Sequence, residues 1–204
     1  MRNVPALHAP GFIAAYSIGK FNDASAAIHG DLVLHVRSST PDYTGFRVSF
    51  SSKTLSAEYS CAGGGTIPFS NGCFKAQFNV PRGNEFVDVR IPFSSFSDHW
   101  NPATGDQMVK CSDENPKVCP TVSNLQHLRW LEIWAEGAEG DIHLEIKSVS
   151  ANLNIPSSYV GVPSVDSDIL LVTFDGSPST TFKFRQYNDP VMVSIDLLGA
   201  FVLM

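Results

Sequence analysis

The residues best suited to chemistry lie in "PFSSFSDHW", Pro92 to Trp100, where Asp98, His99 and Trp100 stand side by side. They follow a strand-like run and precede a loop-like one. A carboxylate beside an exposed indole can grip a sugar. The ring stacks on the sugar's apolar face while the carboxylate accepts hydroxyl hydrogen bonds. The plainer reading, and the preferred one, is that Phe93 and Phe96 anchor the loop on the core and Trp100 packs over a sheet edge. Trp130 and Trp134 are four residues apart, so on a strand they share a face, as core or as part of an interface patch. Glu136, Glu139 and Asp141 crowd the glycines of "EGAEGD". Such oxygens could hold a hard cation, but a solvated turn explains them more simply. The binding candidates are therefore Asp98, His99, Trp100, Trp130 and Trp134, with no metal site and no cofactor expected.

Four cysteines sit in two loop-like stretches: Cys61 and Cys73 flank "AGGGTIPFSNG", and Cys111 and Cys119 flank "SDENPKV". Four cysteines allow three pairings, of which the local one, Cys61–Cys73 with Cys111–Cys119, is simplest. Neither pair has the CxxC spacing of a zinc ribbon. Disulfides are expected, with free buried thiols and a metal site as the alternatives. Disulfides would imply an oxidising compartment.

Nothing points to catalysis. The chain has no GxSxG, no HExxH and no Walker A motif. "CAGGGTIPFS" is glycine-rich but lacks the Gly-Lys-Ser/Thr ending of a phosphate loop. The six histidines are scattered, with no ligand-like pair two or four residues apart. A formal net charge of -6, from 20 acidic and 14 basic residues, argues against a nucleic-acid partner. No segment approaches the roughly 20 apolar residues of a membrane-spanning helix, so the chain is not expected to span a membrane. The N-terminus, "MRNVPALHAPGF", lacks the apolar stretch of a secretory signal and the amphipathic character of a transit peptide, as would a processed or partial chain, the preferred reading, or one that needs no targeting.

The elements that must carry these residues read as strands. Of 204 residues 43% are hydrophobic and 17% charged, the balance of a globular chain. Period-two alternation recurs in "DLVLHVR", "GFRVSF", "CFKAQFNV", "EFVDVRI" and "DIHLEIKSV". "LRWLEIWA" is apolar on both faces and so reads as a central strand. "DILLVTF" and "TFKFRQY" look like a late pair around "DGSPS", and "VSNLQHLRW" carries at most one helical turn. Glycine- and proline-rich turns separate the runs. The expectation is an all-β fold, an antiparallel sandwich or jelly roll, with one face of each sheet inward and the other wet. The main domain is placed at residues 1–152, a Pro- and Ser-containing linker at 153–167, and a separate segment at 168–204.

The order of these pieces resembles one family. "VDVRIPFSSFSDHW", an insert, and then "LRWLEIWAEGAEGDIHLEIKSVSA" is similar to the complex I intermediate-associated proteins. The matching positions include Val89, Ile91, Pro92, Phe93, Phe96, Trp100, Leu131, Ile133, Gly140, Leu144, Ile146, Ser148 and Val149. Leu32, Val36, Arg37 and Phe46 fit the middle strands, and the resemblance runs from about Val4 to Ala151. It implies a galactose-binding-like jelly roll. It also implies a non-enzymatic module that assembles, or sits within, a large membrane complex of mitochondria or plastids, with subunits of that complex as partners. Carbohydrate binding, by analogy of fold, is the second expectation. The location implied is organellar, a thylakoid lumen or an intermembrane space if the disulfides form.

Two departures stand out. The cysteine-bearing inserts are outside the common pattern and resemble a variant in algal-type sequences. The family's opening, an aromatic followed by "ND.VMGG.S", is missing from the N-terminus. Its like appears instead in "FDGSPSTTFKFRQYNDPVM", with Phe174, Asp175, Gly176, Phe184, Asn188, Asp189, Val191 and Met192, while Val193 and Ser194 replace the glycines. A fragment of a tandem array is the preferred explanation. The others are a gene-model error and a permuted order in which the late strands complete the sandwich.

Overall fold

The computed structural model describes residues 2–4, 9–52, 73–101, 105–111, 116–152 and 183–186. They form an antiparallel β-sandwich. A ribbon of β1 (Asn3–Val4) and β2 (Ala9–Pro10) precedes two sheets. Six of the strands are β3 (Phe12–Ile18), β4 (Asp31–Arg37), β5 (Phe46–Ser51), β6 (Cys73–Gln77), β7 (Val87–Pro92) and β8 (Trp130–Glu136). The last two are β9 (Glu145–Asn152) and β10 (Lys183–Gln186). The large sheet has the order β10-β3-β8-β5-β6 and the small sheet β7-β4-β9. Among the described residues no helix is long and apolar enough to cross a membrane.

One core lies between the sheets, and the alternation in sequence supplies it. β4 sends Leu32, Leu34 and Val36 inward, where they meet Ile13, Ala15, Val48 and Phe50 from the large sheet. Phe50 is the hub, its ring 4.9 Å from Phe96, 5.5 Å from Phe74 and 5.9 Å from Phe93. Burying each such ring contributes about 1.5–3 kcal/mol. Phe93 and Phe96 therefore anchor the chain after β7, as the plainer reading of that stretch expects.

Two local devices fix the frame. The β4–β9 register skips Lys147, because His35 faces Ser148 while Val36 faces Ile146. This bulge lets Ile146 and Val149, three apart in sequence, both enter the core. The one α-helix among the described residues, α1 (Val122–Gln126), starts in a reciprocal cap: the Thr121 hydroxyl accepts from the Asn124 amide, and Asn124 Oδ1 accepts from the Thr121 amide. The Asn124 side-chain amide also donates to Ser52 Oγ at 3.1 Å, tying the helix to the end of β5.

β10 belongs to the late segment set apart as 168–204. It pairs with the edge of β3, Lys183 opposite Tyr16 and Gln186 opposite Ile13. "DILLVTF", the linker 153–167 and "NDPVM" lie outside the described residues.

Candidate functional site

The large sheet's outer face departs most from expectation. Alternate residues there should be wet, yet apart from Gln77 those in its two central rows are sealed. Register aligns Tyr16, Glu132, Ser49 and Lys75 in one row and Ala14, Trp134, Arg47 and Gln77 in the next. Arg47 and Glu136 are each 3% exposed, Glu132 1% and Lys75 0%. Two cations and two anions are thus buried on one sheet face, and burial of that kind requires partners.

The partners are specific. Lys75 Nζ donates to Glu136 Oε1 at 2.6 Å. The same ammonium lies 3.9 Å from the centre of the Trp100 ring and 4.0 Å from that of Trp134, so two indole faces enclose it. Trp134 Nε1–H donates to Ser49 Oγ at 2.8 Å, and Ser49 donates to Glu132 Oε2 at 3.2 Å. Arg47 reaches Asp106 Oδ1 at 3.0 Å and the carbonyls of Thr44 and Gly105. Burial pushes the Lys75 amine below the ordinary lysine value of 10.5, and Glu136 opposes that shift.

A strap closes over the cluster. Its two legs, 97–101 and 105–110, are bridged at Trp100 and Gln107, with Met108 N–H donating to the His99 carbonyl at 3.0 Å. The first leg pairs with β6, through reciprocal backbone bonds between Ser97 and Lys75. Trp100 Nε1–H donates to the Cys73 carbonyl at 3.2 Å, and the Gln107 side chain donates to the carbonyls of Lys75 and Ser95. Gly105, with a φ of 71°, packs where any Cβ would collide with the Glu136 side chain. Only glycine suits both the conformation and the space.

The sequence candidates separate accordingly. Trp100, 4% exposed, is part of the strap's first leg, and one of its faces is taken by Lys75. Trp134, 1% exposed, forms the opposite wall. Trp130 is equally buried but stacks on Tyr16 at 4.9 Å, and its Nε1–H meets no acceptor. Asp98 is half-buried and bonds through its backbone to Val118, while His99 is exposed. Glu136 turns to Lys75 whereas Glu139 and Asp141 are exposed, which parts the "EGAEGD" acids. Among the described residues no group of three or more His, Cys, Asp or Glu could hold a metal.

Cys111 and Cys119 are disulfide-bonded. Cys73 is also in a disulfide; Cys61 lies outside the described residues. Sequence reasoning missed Lys75, Glu136, Arg47 and Glu132 as one cluster. The available signal was Glu132, a carboxylate inside a strand otherwise apolar on both faces.

In this state the site is a closed ionic lattice. The indole faces that could stack on a ligand enclose the Lys75 side-chain nitrogen of the chain itself. Comparison of the chain with protein-family models, with curated proteins and with solved structures gives no match.

Proposed function

We propose that this chain is a non-enzymatic binding module of galactose-binding-like, jelly-roll type. It helps to assemble, or sits within, a large organellar membrane complex of the respiratory complex I or photosystem kind. The observation that carries the reading is the occupied outer face of the large sheet. Lys75, Trp100 and the strap fill the surface on which a sandwich of this shape could bind a small ligand. Recognition then falls to exposed loops and to the outer face of the small sheet, a surface suited to protein partners. That face is polar: Arg37 pairs with Glu145 at 2.7 Å and His35 with Asp88 at 2.8 Å. The order of motifs from Val4 to Ala151 supports the same reading, and the Cys111–Cys119 bond favours an oxidising lumen or intermembrane space.

Carbohydrate binding through Asp98 and Trp100 ranks second, because stacking needs an open indole face. The deciding experiment is affinity capture from mitochondrial and thylakoid membranes, with native gels read for complex I and photosystem subunits. Co-migration with one of those complexes, and its loss on gene deletion, is expected. Unchanged complexes after deletion would sink the proposal, and saturable calorimetric titration by a sugar, abolished in Trp100→Ala, would favour the second reading.

A further inference from the structure

We propose that the Cys111–Cys119 disulfide is a redox-responsive clasp on the strap, and that its reduction opens the Lys75–Glu136 pair to solvent. The bond closes a ring around the base of the strap. The second leg runs directly into Cys111. Cys119 follows Val118, whose carbonyl accepts the Asp98 amide of the first leg at 3.1 Å. One leg is thus held covalently and the other through a single residue next to the bond. Cys111 and Cys119 are half-buried, within reach of a small reductant, whereas Cys73 is fully buried under Trp100.

The strap is held on the sheet by discrete polar contacts. They include the reciprocal backbone bonds of Ser97 with Lys75, Trp100 to Cys73, Gln107 to Lys75, and Arg47 to Asp106, whose side chain is 62% exposed. Once the clasp is cut, these contacts and the backbone bonds from Met108 and Val109 to the His99 carbonyl must hold the two legs without the covalent tie at their base. Local opening then becomes easier without unfolding the sandwich. The chemistry is dithiol exchange. One thiolate of the reductant attacks a cystine sulfur and breaks the S–S bond. The second thiol then displaces the mixed disulfide. Two electrons pass from the dithiol to the cystine, leaving Cys111 and Cys119 as thiols and the reductant as a cyclic disulfide.

The test uses the full chain and an amine-acylating probe, N-hydroxysuccinimidyl acetate, read by peptide mass spectrometry. Oxidised protein, protein reduced with dithiothreitol, and the Cys111→Ser/Cys119→Ser variant are compared. The variant leaves Cys73 in its disulfide. Lys75 should be acylated at least about tenfold faster in the last two, with a shallow dependence on urea below the unfolding transition and a red shift of tryptophan emission. Exposed Lys147, on the small sheet, serves as the control and should be unchanged. An unchanged Lys75 rate overturns the proposal. So does an increase that follows urea as steeply as global unfolding, since the whole fold and not the strap would then be opening. Should the double variant fail to fold, the reduced wild-type chain decides on the same readouts.

Discussion

Glu136→Gln should be among the most damaging single-atom changes in the chain. At 2.6 Å the attraction between Lys75 and Glu136 is about 6 kcal/mol at an effective dielectric of ~20. Bringing both ions out of water costs several kcal/mol each. The intact pair therefore adds little net stability. Removing one charge is different, because the desolvation of the other stays and its compensation goes. Glutamine keeps the volume and an acceptor, so the variant isolates the charge. The two indole faces still hold the ammonium, at about 1–2 kcal/mol each, and moderate the loss. A cost of about 3–5 kcal/mol follows, or a fall of about 6–20 °C in melting temperature. Lys75→Met should cost a similar amount by orphaning Glu136. The double variant, with a thioether between the indoles and no charge, should lie well above the sum of the singles, with a coupling of at least about 2 kcal/mol. Urea denaturation of the four oxidised proteins, followed by circular dichroism, measures the cycle. Single variants costing under about 1 kcal/mol each, and additive, would mean that water reaches Lys75 and that the buried lattice does not exist.

Three further outcomes are expected. Phe50→Ala removes the hub of four core rings and should lower stability by about 3–5 kcal/mol, as a lower urea midpoint at unchanged slope. Gly105→Ala meets both an unfavourable φ and the Glu136 side chain, and should cost about 1–3 kcal/mol while speeding acylation of Lys75. The hydrogen bonds from Arg37 hold Glu145 below its ordinary value of 4.5. A carboxylate depressed in the folded state contributes stability that is complete above that value and is lost as the pH falls below it through the folded value. Arg37→Ala should therefore raise the Glu145 midpoint in a carboxyl NMR titration and flatten that part of the acid-stability profile.

The sandwich was legible because alternation reports one buried face. β4, β5, β6 and β7 each show it, and the doubly apolar "LRWLEIWA" marked β8, which indeed lies between β3 and β5. β3 escaped because Ile13 to Ser17 are buried on both faces and so offer no charged alternate to betray the period. The bulge at Lys147 escaped because register depends on the partner strand. The site was only half legible. Trp100 and Trp134 could be singled out by type, but Arg47 and Lys75 read as solvated positions. Their partners come from Asp106 and Glu136, 59 and 61 residues away, and no local pattern encodes such a meeting.

The buried quartet also governs how the strands may pair. Side chains in a sheet change face with every residue, so a slip of one position in β5, β6 or β8 would exchange the two faces of that strand. Here the exchange would drive Arg47, Lys75 or the two glutamates between the sheets, into the company of Phe50 and Phe74, and would lift those apolar side chains out. In a sheet with one greasy face and one wet face, a shifted register trades burial for exposure. In this one it also strands ions in hydrocarbon with nothing to pair with. The charges under the strap thus act as a registration key: misaligned pairings are priced out of the folding ensemble before the strap has anything to close upon.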